Sequence, residues 1–232
     1  MVVSMLQSFI FPPPPSLFIT AMSVVSLTSL VYTGFSEVRG NHLKYSKFWN
    51  VNSPKSGRKQ IKLSSTTGML ILYTPAFLAA LTSFLLFPPQ DFRSLLLHSA
   101  LAIHFFKRIF EVLFVHRYSG GMVLDSVITI SLSYFSSTAT MMYAQLLSQG
   151  ISEPPVDLKY PGILLFLIGT SGNLYHHYLL SKLRGEGDKE YRIPKGGTIL
   201  YLMGRSYATR RWYLSKFENF PQDVKALIPY LF

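Results

Sequence analysis

Apolar residues fall along this chain in blocks of about twenty, parted by short polar stretches, and a block of that length is what a helix needs to cross a roughly 30 Å hydrocarbon layer. Five such spans follow from the pattern: Ser16 to Phe35, Gly68 to Phe87, Leu95 to Val115, Met122 to Leu147, and Pro161 to Leu180. A sixth apolar stretch, Thr198 to Met203, is too short to cross. The pattern predicts an all-α, polytopic helical membrane protein, a single membrane domain over residues 1–232. Pro12 to Pro15 form a stiff non-helical lead-in to the first span, and Asn50 to Ser65 reads as an exposed polar loop. The first span has no basic run before it and no clear small-residue cleavage site after it, so it is expected to be retained.

Composition sharpens this picture. The 232 residues are 49% hydrophobic, 15% aromatic and only 14% charged, an apolar excess that asks for lipid. The chain has no cysteine, which removes disulfides, thiolate nucleophiles, iron–sulfur clusters and cysteine-held zinc. Its formal charge of +11 is placed to one side of the spans rather than in a nucleic-acid-binding patch. The connector after the first span carries Arg39, Lys44, Lys47, Lys55, Arg58, Lys59 and Lys62, the turn after the third carries Arg117, and the segment after Leu180 carries ten more Lys and Arg. The opposite side receives only Arg93 and Lys159, in loops that also hold Asp91, Glu153 and Asp157. Positive charge marks the cytoplasmic face, so a luminal N-terminus and a cytoplasmic C-terminus are expected. A cytosolic anionic cofactor would meet that basic face first.

The candidate chemistry lies in two places. His104, Lys107, Arg108 and Glu111 in the third span are spaced i, i+3, i+4 and i+7 and share one helical face. A charge at the bilayer centre costs about 2.5–3.5 kcal/mol, so that face must meet protein or water. Two readings stand. Glu111 either neutralises its two cations and locks packing, or Lys107 and Arg108 hold an anionic or carbonyl oxygen while His104 assists proton movement. At the end of the fifth span, Asn173, His177 and Arg184 fall near one face. Adjacent His176 and His177 point about 100° apart with no carboxylate at i+3 or i+4, and no metal is expected there.

Neither G-x-G-x-x-G nor G-x-x-x-x-G-K-[ST] occurs, so a dinucleotide would need another kind of pocket. Arg184, Arg192, Lys195, Arg205 and Arg211, with Tyr178, Tyr191 and Tyr213, are candidates to line it among helix ends. The same residues also suit a solvated basic rim facing anionic lipid.

The runs Tyr191-Arg192-Ile193-Pro194-Lys195-Gly196-Gly197, Arg211-Trp212-Tyr213-Leu214, Phe217-Glu218-Asn219-Phe220-Pro221 and Leu227-Ile228-Pro229 resemble the 3-oxo-5-alpha-steroid 4-dehydrogenase (steroid 5-alpha-reductase) family, in its plant-type form. The resemblance takes in most of the chain after Lys44, with residues 104–232 similar to the family's C-terminal domain. It implies a multi-pass enzyme of the endoplasmic reticulum membrane that uses NADPH to reduce a carbon–carbon double bond conjugated to a carbonyl in a lipid. By position, Asn173, Arg184, Tyr191, Arg192, Arg205 and Tyr213 match the family's cofactor-contacting residues, with Tyr178 beside them. Implied partners are membrane lipid, a small lipid substrate and other lipid-synthesis enzymes of the reticulum, with no nucleic acid.

Two departures refine the resemblance. Where steroid reductases carry a His-Tyr pair, this chain has His104-Phe105, and the position of the family's partnering glutamate holds Tyr73. The run Lys107-Arg108, Glu111 and Leu113-Phe114-Val115-His116-Arg117-Tyr118-Ser119 instead resembles the trans-2-enoyl-CoA reductase branch of fatty acid elongation. Between Gly197 and Gly204, where the family carries a Pro-x-Tyr-x-x-Glu-type motif and further spans, only six residues remain. On the order of 30 residues are missing, about one and a half crossings. The substrate expectation therefore covers enoyl thioesters and 3-oxo-4-ene steroids. The alternative is a catalytically impaired or non-enzymatic shortened form that acts as a membrane binding partner, while the Pro-Lys-Gly-Gly run argues against a membrane methyltransferase.

Overall fold

A computed structural model describes residues 8–9, 14–39, 61–118, 120–182 and 214. Within them five long helices form: α1 (Leu17–Val38), α2 (Ser65–Leu86), α3 (Phe92–Phe110), α4 (Leu124–Leu147) and α5 (Lys159–Lys182). Each overlaps one expected span to within a few residues. The helical architecture agrees with the hydropathy pattern. By length and apolarity α1 and α2 are fit to cross a membrane, while polar side chains on α3, α4 and α5 lower their average. Thr198 to Met203 and the Gly197–Gly204 connector lie outside the described residues.

Local chemistry starts two of these helices. The Ser64 hydroxyl accepts from the Thr67 amide at the head of α2, and the Asp91 carboxylate accepts from the Ser94 amide at 2.6 Å at the head of α3. One short element was not expected. Lys62–Ser64 (β1), inside the stretch read as a loop, pairs antiparallel with Gly121–Val123 (β2), with Leu63 opposite Met122. Three-residue strands leave almost no periodic signal. The ribbon packs on α2 at Gly68, where an added Cβ would come within 2.8 Å of Met122 Sδ and 3.2 Å of Met122 Cβ. Glycine is needed there for close approach.

The buried core lies between α2, α3 and α4 and comprises Leu72, Tyr73, Ala76, Ala80, Leu101, Phe105, Val112, Met122, Val127 and Met142. Ala76 and Ala80 let the helices approach closely, as small residues do in lipid. Around this core the outer faces remain apolar: Leu17 is 88% exposed on α1, Leu85 81% on α2 and Leu165 69% on α5. So much exposed hydrocarbon fits a helical membrane protein.

Pro75 sits inside α2. It has no amide proton to give the carbonyl of Ile71, four residues earlier. The Ser131 hydroxyl on α4 donates to that carbonyl at 3.1 Å, so the gap in one helix is filled from another. Replacing Ser131 with Ala should cost about 1–3 kcal/mol, the penalty for an unmet buried polar group. Thermal unfolding in detergent reads this as a lower Tm, with Ser136→Ala, whose hydroxyl bonds only to Ser133 of its own helix, unchanged.

Candidate functional site: a buried charge cluster between two helices

The α3 helix does not end in an ordinary turn. Residues Glu111–Val115 form a π turn, closed by the His116 amide donating to the Glu111 carbonyl at 2.7 Å. Such wide turns occur mostly at functional sites. This one holds Glu111 fully inside, at 0% exposure, and brings His116 round to face α5.

Glu111 organises what surrounds it. Arg108 Nη1 donates to Glu111 Oε2 at 2.7 Å. Lys107 Nζ lies 2.8 Å from Oε1, and His177 Nδ1, from α5, lies 2.9 Å from the same atom. Neither approach to Oε1 has the alignment of a hydrogen bond, so this oxygen keeps acceptor capacity. Lys107 also donates to Asn173 Oδ1 on α5, and Arg108 Nη2 donates to the buried Tyr73 hydroxyl on α2 while its guanidinium lies 4.8 Å from that ring's centre. Asn173 Nδ2 and His177 Nε2 stand 3.5 Å apart. Three helices thus meet at one carboxylate. With Lys107 and Arg108 charged, Glu111 ionised and the histidines neutral, the cluster carries one net positive charge in a poorly solvated place.

His116 stacks against His177, ring centres 4.7 Å apart, and Tyr118 lies 5.4 Å beyond His116. Burial, and after it the fields of His177 and Arg108, push the His116 imidazole down to about 4. Burial likewise pushes the Tyr118 phenol up, keeping it protonated. Both groups are neutral donors or acceptors at physiological pH.

The structure therefore brings Lys107, Arg108 and Glu111 together and adds Asn173 to them. His104 is placed otherwise. It is exposed and stacks edge-on against its neighbour Phe105, with ring centres 5.0 Å apart. The imidazoles beside Glu111 are His177 and His116, which the helical count along α3 passes over. His177 belongs to another helix, and His116 comes after the π turn, where α-helical spacing no longer applies. Tyr178 is exposed and its ring carries the Lys182 ammonium at 4.6 Å, away from the cluster's hydrogen bonds. Arg184, Tyr191, Arg192, Lys195, Arg205, Arg211 and Tyr213 lie outside the described residues.

The ligand atoms of Glu111, His116 and His177 lie within 4.8 Å of one another, a spacing a metal ion could bridge. The carboxylate the sequence reading did not find within one turn of His177 thus arrives from α3. Electrostatics argue against a divalent cation here. Glu111 already faces Lys107 and Arg108, and an ion of charge two would have to displace or repel both. The surroundings suit an oxygen that carries or gains negative charge.

No family model matches the chain. Curated relatives do, and they agree with the resemblance read from the motifs. The chain is 25% identical over 169 residues to 3-oxo-5-alpha-steroid 4-dehydrogenase 2 of Macaca fascicularis, covering 56% of this chain and 65% of that one. It is 26% identical over 199 residues to Steroid 5-alpha-reductase DET2 of Gossypium hirsutum, covering 65% of this chain and 76% of that enzyme. It is 31% identical over 108 residues to the Very-long-chain enoyl-CoA reductase of Dictyostelium discoideum, covering 47% and 36%. The chain spans somewhat under two-thirds of the length of the macaque relative.

The low value of His116 has a thermodynamic counterpart. Between its folded value of about 4 and its ordinary 6.5, the unfolded chain takes up a proton that the folded chain refuses. Stability should therefore fall as pH drops through that interval, and His116→Gln should flatten the fall. Urea or thermal unfolding of the detergent-solubilised protein at a series of pH values measures it.

Proposed function

We propose that this chain is an NADPH-dependent reductase of a carbon–carbon double bond conjugated to a carbonyl in a lipid, an enoyl thioester or a 3-oxo-4-ene steroid. Its place is the endoplasmic reticulum membrane, N-terminus luminal and C-terminus cytoplasmic, as the distribution of Lys and Arg favours. The observation that carries the reading is the buried cluster of Lys107, Arg108, Glu111, Asn173 and His177. The names of its relatives, steroid 5-alpha-reductases and very-long-chain enoyl-CoA reductases, point to the same chemistry.

In a conjugated reduction the β-carbon gains a hydride, the carbonyl oxygen takes up the displaced electron pair, and the α-carbon gains a proton. A bound reduced nicotinamide supplies the hydride. The donor set fits such a cofactor and its substrate: two cations over one carboxylate leave positive charge for an oxygen that becomes anionic. Lys107 and Arg108 hold that oxygen. Glu111 keeps both cations aimed and compact, since without it two like charges would share one buried site. His177, against Glu111 and next to His116, is the group placed to hand a proton toward the α-carbon, in the role first assigned to His104. Asn173 and Tyr178, with Arg184, Tyr191, Arg192, Arg205 and Tyr213 of the segment after α5, would hold the dinucleotide at the basic end.

Purified protein should consume NADPH in the presence of a trans-2-enoyl-CoA, followed at the nicotinamide absorbance. Lys107→Met should lower kcat by about a hundredfold or more, the usual loss of one charge-stabilising donor. NADPH at a hundred times its Kd should raise folding stability by about 2.7 kcal/mol. A chain that neither turns over nor gains stability, beside an active longer relative, would instead be a non-enzymatic membrane binding partner.

A further inference from the structure

A cavity of about 700 Å³ lies between α3, α4 and α5, starting beside Arg93 and Lys159 and ending at Ile103 and Leu167. Its walls are Leu96, Ala100 and Ile103 on α3, Met141 and Ala144 on α4, and Ile163 and Phe166 on α5, among others. Its position on the helices is informative. On α3, Leu96, Ala100 and Ile103 continue at i+4 and i+8 from Ile103 into Lys107 and Glu111. On α5, Ile163 and Phe166 continue through Thr170 into Asn173 and His177, the spacing of one helical stripe. The facing surfaces of α3 and α5 are thus apolar for their first half and polar for their second, and the cavity opens along the apolar half directly below the charge cluster. No residue of α5 is buried, and a Cβ built at Gly162 or Gly169 meets nothing within 4 Å, so space persists between the cavity and the cluster.

At the far end the cavity meets an ion-paired rim. Arg93 binds Glu153 and lies 3.7 Å from Asp157, and Lys159 approaches Glu153 at 3.2 Å and Asp157 at 3.3 Å. Arg93 and then Lys159 hold the Glu153 carboxyl below the usual carboxylate range. From Arg93 to Ile103 the cavity follows ten residues of helix, about 15 Å at 1.5 Å each, parallel to the helix axis.

We propose that this cavity is the tail site of the substrate: one unbranched acyl chain whose thioester carbonyl rests at Lys107 and Arg108 and whose methyl end runs toward the Arg93–Lys159 rim. The proposal rests on the reading of the cluster as the carbonyl-holding site. A slot lined by Ser99, Ala100, Ala144 and Gly162 and drawn out along the helices fits a chain better than a broad ring system. A polar head at the cluster and a hydrocarbon tail along the apolar stripe match the two halves of the interface, and each methylene removed from water contributes about 0.8 kcal/mol.

Gly162→Trp and Ala100→Phe fill the cavity from opposite walls, and both can be tested on a series of trans-2-enoyl-CoAs. The ratio of kcat/KM for trans-2-octadecenoyl-CoA to that for crotonyl-CoA should fall about tenfold or more in each variant, with the loss mainly in KM. Leu165→Trp, on an exposed face of α5, should leave the ratio as it is. A ratio unchanged in the two filled variants overturns the proposal. If the wild-type chain reduces no enoyl-CoA, the reading of the cluster fails, and labelling decides the cavity separately. A long-chain acyl-CoA with a diazirine near its methyl end should label peptides 96–103 and 163–167, and Gly162→Trp should abolish this. Labelling elsewhere, or labelling displaced by phosphatidylcholine or a 3-oxo-4-ene steroid but not by palmitoyl-CoA, overturns the tail site.

Discussion

One buried carboxylate holds this arrangement together. Glu111 has no access to solvent, and an isolated charge in such a place is costly enough that its neighbours must be cations. It draws Lys107 and Arg108 from its own helix and His177 from α5. Through those cations it also reaches Asn173 on α5 and Tyr73 on α2. Since α5 has no buried residue, these polar contacts carry much of what fixes it against the core, and the same contacts form the site. Stability and chemistry are coupled here: loosening the ion pairs to free a cation for substrate loosens the attachment of a helix.

How much of this could be read beforehand follows the physics of each signal. The long helices were legible because twenty apolar residues in a row have few other uses. Lys107, Arg108 and Glu111 were legible as a set because ionisable residues inside a span must find one another. His177 was visible only as a neighbour of Asn173, for nothing in a linear sequence says which faces of α3 and α5 meet. His104 illustrates the converse. It shares the α-helical count with Lys107 and Glu111, yet its side chain lies at the exposed edge of that face, and a stripe as wide as four positions always has an edge. The Pro75–Ser131 pairing and the β1–β2 ribbon rest on single hydrogen bonds and three-residue strands, which leave no periodic trace.

The α3–α5 interface divides its labour along its length rather than around its circumference. A surface helix usually turns one side to water and one to the core. Here the change runs from end to end: leucine, alanine and isoleucine, then lysine and glutamate, on one continuous stripe. Such a gradient is matched to a molecule that is itself hydrocarbon at one end and polar at the other. The cation–carboxylate rim at the far end, made by Arg93, Lys159, Glu153 and Asp157, then bounds the apolar half.

The π turn at Glu111–Val115 gives the chain an unusual sensitivity to length. A π turn is an α-helix carrying one surplus residue, and trimming that residue would let the segment relax into ordinary helix at little backbone cost. Everything downstream would then swing by about 100° about the helix axis. The hydrophobic composition would be untouched and the helix arguably more regular, yet His116 would leave His177 and Tyr118 would leave the core's margin. A single-codon loss in this stretch would thus spare the scaffold while dismantling its reactive centre.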